Sequence, residues 1–105
     1  MIARIWSART TPALSHAYLE HFSQHVQPSL QKLNGFFGFT VCIRPVPNEI
    51  EILVTTYWQS LAAIDVFATP DRDSAVVAAE AAALLTDYDR RVRHYEVALR
   101  EFPST

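Results

Sequence analysis

The 105-residue chain carries 9 Lys plus Arg against 11 Asp plus Glu, a formal charge of −2, and half of its residues are apolar; this fits one packed domain, 1–105, and excludes a disordered chain. Lys32 is the only lysine and the arginines are scattered, which excludes the basic stripe a nucleic-acid partner needs. A single cysteine, Cys42, excludes an internal disulfide, and no apolar run reaches the roughly 18 residues of a membrane span or sits behind a basic start as in a signal peptide, so a cytoplasmic protein with no membrane partner is expected.

Residues 2–9 (IARIWSAR) read as a strand bounded by Thr-Thr-Pro. Thr11 can cap a helix whose first position takes Pro12. Leu14, Tyr18, Phe22 and Val26 then recur every four residues as one apolar face, which Leu30 and Leu33 extend. Pro28 should kink this helix, and Asn34-Gly35 should end it. Residues 36–44 (FFGFTVCIR) and 49–58 (EIEILVTTYW) read as two strands joined by a turn at Pro45, Pro47 and Asn48, hence as an antiparallel hairpin. Ser60 can cap a helix carrying Leu61, Ile64, Phe67 and Ala68, closed by Pro70. Asp73 or Ser74 can cap another, running through Val76, Val77, Leu84 and Leu85. A last strand is expected over 91–100 (RVRHYEVALR). The order strand, helix, strand, strand, helix, strand is the split βαβ pattern, so the predicted fold is α+β, ferredoxin-like βαββαβ with a four-stranded antiparallel sheet.

Two helical layers cover only one face of such a sheet, yet the strands carry apolar residues on both. In the third strand Ile50, Ile52, Val54 and Trp58 oppose Leu53 and Tyr57. In the second, Phe37, Phe39, Val41 and Ile43 oppose Phe36 and Cys42. Doubly apolar strands belong to a sheet buried on both sides, and a second copy related by a two-fold axis is the simplest cover. The expected assembly is a homodimer forming a dimeric α/β barrel of roughly eight strands.

The opening MIARIW, the run TTYWQSLAAIDVFA at 55–68 and the ending LLTDYDRRVRHYEV at 84–97 resemble the antibiotic biosynthesis monooxygenase-like family of the dimeric α/β-barrel superfamily. The resemblance implies a homodimer with a small-molecule pocket between sheet and helices. It also implies one of two chemistries: oxygenation without metal, flavin or haem, or haem degradation. The haem-degrading branch uses an Asn, a Trp and a His where this chain aligns Ser7, Phe67 and Val77, so no cofactor is expected. The quinone-forming oxygenases use Asn, Trp, Arg and Tyr; here the only asparagines, Asn34 and Asn48, fall in turns, while Tyr57 and Trp58 remain.

On the last strand, alternation sends His94 and Glu96 to one face and Tyr95 to the other. His94 is the candidate base, with a carboxylate to hold its tautomer. Arg4, Tyr57 and Tyr95 are the candidate donors to a substrate oxyanion. Trp6, which shares a face of the first strand with Arg4, joins Phe22, Phe36, Phe37, Trp58 and Phe67 as the candidate dry wall around the substrate. His21 and His25 stand four apart beside the helix's apolar stripe without a third ligand, so no metal site is expected. The leading expectation is a cofactor-independent monooxygenase acting on a hydrophobic aromatic or polyketide-like small molecule. The alternatives are a non-catalytic binding or accessory module and a cofactor-free isomerase or cyclase using the same pocket.

Overall fold

A computed structural model describes residues 1–101. Its long strands are β1 (Ile2–Thr10), β2 (Phe36–Val46) and β3 (Glu49–Trp58). They form an antiparallel sheet in the order β2-β3-β1. Two short strands, β4 (Asp87–Tyr88) and β5 (Arg93–Glu96), both pair with the remaining side of β1. This is the ferredoxin-like α+β topology that the order of elements predicts, with its fourth strand in two pieces. Four residues, 89–92, stand opposite only two, Trp6 and Ser7, between the register pairs Ala8↔Tyr88 and Ile5↔Arg93. The surplus loops out as a wide bulge.

The first helical segment starts as expected. The Thr11 hydroxyl accepts from Leu14 N–H at 3.1 Å, ahead of α1 (Ser15–His21). A π turn over Phe22–Val26 then leads into α2 (Gln27–Gln31). Pro28 has no N–H to give the carbonyl four residues back, and its ring crowds that carbonyl. The preceding turn widens accordingly, and Gln27 N–H reaches Phe22 C=O, five residues back. Gly35 ends the segment at φ 84°. The β2–β3 hairpin turns on Pro47-Asn48, with Asn48 at φ 64°. Ser60 caps α3 (Leu61–Phe67) by accepting from Ala63 N–H at 3.2 Å.

Two expectations are corrected. The helix expected from Asp73 or Ser74 through Leu85 is only α4 (Ala79–Ala82). Residues 74–78 run irregularly beside the bulge, because their backbone is engaged there: Ala75 N–H binds Arg90 C=O at 2.9 Å, and Ser74 bridges Arg91. In β2 the pairing slips between Phe36 and Gly38, where Gly38 takes φ 156°. The bulge puts Phe36 on the same face as Phe39, Val41 and Ile43, all opposite even-numbered β3 residues, and leaves Phe37 57% exposed.

Even-numbered residues of β1 and β3 face the helices. Ile52, Val54, Trp58 and Ala8 are buried there with Tyr18, Phe22 and Leu30 from the first helical segment and Ile64 from α3. Aromatic pairs bind the layers: Phe22 with Phe39 at 5.0 Å, Phe36 with Trp58 at 5.3 Å, and Trp58 with Phe67 at 5.5 Å between centroids. Among the described residues the other face carries no helix. Leu53, Tyr57, Cys42 and Tyr95 lie on it, with Leu53 40% and Tyr95 51% exposed. Among the described residues no helix is long and apolar enough to cross a membrane.

Candidate functional site

A cleft opens between the helices and the covered face of the sheet. Its enclosed space is about 80 Å³, growing to about 590 Å³ counted out to its open mouth. Trp6, Val54 and Thr56 of the sheet form its floor, Tyr18, Phe22 and Val26 one wall, and Phe67, Val76 and Val77 the other. Period-two alternation aims Arg4, like Trp6, into this space. Arg4 is 5% exposed, with its guanidinium carbon 5.5 Å from the Phe67 ring centroid.

The guanidinium is tied on one side. Nη1 donates to Arg72 C=O at 2.6 Å and to His94 Nε2 at 2.9 Å, and Nη2 donates to Ser74 C=O at 2.7 Å. Of its five N–H groups, one on Nη2 and that on Nε have no described partner. Burial lowers the Arg4 pKa to about 10, against the pull of Asp73. It is therefore a cation at neutral pH in an otherwise apolar cleft.

His94 pairs with Arg4 across β1 and β5. Arginine only donates, so Nε2 must accept and the proton sits on Nδ1, 3.3 Å from Asp73 Oδ1. Burial, then the Arg4 charge, hold the His94 pKa below its ordinary 6.5, with Asp73 opposing. The imidazole is thus neutral at pH 7, in a fixed tautomer between a cation and a carboxylate. Burial also raises the Tyr18 pKa, so this cleft residue stays a phenol.

Of the residues singled out from the sequence, Arg4, Trp6, Phe22 and Phe67 line the cleft, and His94 stands behind Arg4. Phe36 and Trp58 pack against each other in the core. Tyr57 and Tyr95 lie on the helix-free face and Phe37 is turned out by the bulge, so none of the three joins the others. Ser7 too is on the helix-free face, and its neighbour Trp6 occupies the cleft wall. Sequence reasoning assigned no site role to Tyr18, Thr56 or Asp73. Tyr18 was legible as part of the apolar helical stripe. Thr56 was legible from its even position in β3. Asp73 had no signal, because it reaches His94 from an irregular loop.

A sequence model of the family described as antibiotic biosynthesis monooxygenase matches residues 1–72. No curated protein sequence matches. Among solved structures, the chain is similar to a candidate antibiotic biosynthesis monooxygenase from Bacillus cereus (18% identity, covering 97% of each chain, TM-score 0.68). It is also similar to the haem-degrader MhuD from Mycobacterium tuberculosis with two haems bound in its active site (24% identity, 97% of this chain and 100% of that one, TM-score 0.60). A third is the monooxygenase from the gene ActVA-Orf6 of Streptomyces coelicolor in complex with Nanaomycin D (18% identity, 98% and 92%, TM-score 0.66). At these identities the likeness concerns the fold alone.

Proposed function

Because the chain belongs to the antibiotic biosynthesis monooxygenase family, we propose that it is a cofactor-independent monooxygenase acting on a hydrophobic aromatic or polyketide-like small molecule bound in the cleft. The observation that carries this reading is a buried guanidinium in an apolar cleft, bonded to a neutral histidine that a carboxylate orients. A phenolic or enolic oxygen placed at the two free N–H groups of Arg4 ionises beside that cation, and its proton passes around the guanidinium through one water to His94 Nε2, which gives up its bond to Arg4 to take it. Asp73 then faces the imidazolium, and Arg4 holds the oxyanion in a dry site where its charge counts most. The electron-rich substrate itself reduces O2. One oxygen atom enters the ring carbon as a carbonyl, and the other leaves as water with the single hydrogen of that carbon and the proton His94 had taken. Tyr57 and Tyr95 have no part in this step. With Leu53 they form the seam of a homodimer, and residues 1–105 act as one domain.

Haem, which the mycobacterial neighbour binds, is poorly matched by this cleft. Positions 67 and 77 are Phe and Val, and no histidine lines the cleft itself.

One observation favours a second reading, a non-catalytic binding module: the one nitrogen of the His94 ring able to take a proton is already engaged by Arg4. Oxygen uptake with a panel of hydroquinones and anthrones, for wild type and His94→Ala, decides between them. Uptake by the wild type that the substitution abolishes supports the oxygenase. Ligand-induced thermal stabilisation without uptake supports the binding module, and product formed anaerobically supports an isomerase or cyclase.

A further inference from the structure

A second recess, broadly open to solvent, lies beside the cleft with about 510 Å³ of space and shares Val26, Phe67, Val76 and Ala78 with it as common walls. The cleft proper encloses only about 80 Å³, whereas small-molecule sites run to roughly 300–1,000 Å³. A ligand larger than a single ring must therefore continue into the recess. Its walls differ in chemistry from the cleft. His21, His25 and Ser29 line one side and Glu80 another, and no Arg or Lys contributes.

His21 and His25 follow from the π turn. They stand four apart across the start of the widened turn, with ring centroids 5.2 Å apart. His21 Nε2 is shut off from solvent and has no hydrogen-bond partner, the only such side-chain atom among the described residues. An unmet buried polar group is costly, on the order of a tenfold change in an equilibrium for each hydrogen bond it forgoes. His21 itself lines the recess, and the terminal torsion of its ring is a broad one that leaves Nε2 free to turn.

We propose that this recess is the specificity half of the binding site. It takes a neutral hydroxyl or carbonyl oxygen at one end of an aromatic ligand, and His21 is the group that reads it. The sign of the lining selects the ligand class: Glu80 repels a fixed anion, and no Arg or Lys neutralises a carboxylate or phosphate. A phenol oxygen satisfies His21 Nε2 in either tautomer, and a ketone oxygen does so in the tautomer with its proton there, without a net charge. The ligand thus carries two oxygens, the reacting one at Arg4 beside a ring lying over Trp6 and Phe22 and a second against the π turn. This deepens the aromatic-ligand reading above and rests on it.

The test is fluorescence titration with 2-naphthol and 2,6-dihydroxynaphthalene, two compounds that differ by one hydroxyl, the shared one going to Arg4. The wild type should bind the diol about tenfold more tightly than 2-naphthol. His21→Leu should abolish that preference, and His21→Gln, which keeps a hydrogen-bonding group near the Nε2 position, should restore it. 2-Naphthol binding by His21→Leu reports that the variant is folded. If His21→Leu keeps the preference, or if the wild type has none, the recess proposal is overturned while the cleft reading stands. If neither compound binds the wild type, the aromatic-ligand reading fails and takes this one with it.

Discussion

Replacing Arg4 by methionine keeps the unbranched apolar stem of the side chain and removes its charged head. The guanidinium makes bonds of 2.6, 2.7 and 2.9 Å, two of them to carbonyls of the 72–74 segment and the third to His94. Hydrogen bonds to charged groups are individually worth about 1.5–3 kcal/mol. Burying the cation costs several kcal/mol, which the variant no longer incurs. The net loss is set by two carbonyls and one imidazole nitrogen left without donors, each at about 1 kcal/mol where the loop can rehydrate. Arg4→Met should therefore cost about 3 kcal/mol, read as a fall in the urea midpoint at unchanged slope, and about 15 °C in Tm for a chain of this size. The same variant should raise the His94 pKa, because it removes one of the two main influences holding it down; burial, the larger, remains. Titration of the His94 ring protons by NMR reads this directly. A loss below about 1 kcal/mol with an unmoved His94 refutes the claim that Arg4 fastens the 72–74 segment and polarises the histidine.

The His94 pKa is lowered on folding, so the unfolded chain binds the extra proton first and stability falls with acidification. The contribution should be whole above the ordinary pKa of 6.5 and decline as pH drops from there through the folded-state value; urea unfolding at stepped pH should show this slope in the wild type and a flatter one in His94→Gln. Gly35→Ala should destabilise by about 2–3 kcal/mol, since a Cβ there lies 2.8 Å from Ala63 Cβ at φ 84°; a variant as stable as wild type in chemical denaturation contradicts that geometry. Leu53→Glu puts a charge on the helix-free face and should convert a sedimenting dimer into single subunits while the fold, by circular dichroism, persists; a dimer unchanged by this substitution places the seam elsewhere.

The elements with a clean period were legible in the sequence. Alternation in β1 put Arg4 and Trp6 on one face, and the four-residue recurrence of Tyr18 and Phe22 put both on the cleft wall. What failed did so where distant backbone overrides local pattern. The run 74–85 is alanine-rich with β-branched Val76 and Val77. Its start is drawn out of the helix by bonds to Arg90 and Arg91, partners that only the bulged last strand supplies. Phe36 and Phe37 exchanged faces because one glycine at φ 156° shifts the register, and simple alternation has no means of anticipating a bulge. The triad of Arg4, His94 and Asp73 was two-thirds visible. Asp73 looked like a helix cap and turned out to be the carboxylate that orients the histidine.

The two interruptions in the outermost strands also govern how molecules of this protein can meet. A long, flat margin of unsatisfied amides invites another chain to add on, and repetition of that contact builds fibrils. Here one margin is broken by the 89–92 bulge, while the other is kinked at Gly38 and lacks an amide hydrogen at Pro45. Lateral growth is blunted at both ends of the sheet, which leaves the broad bare surface as the face open to association.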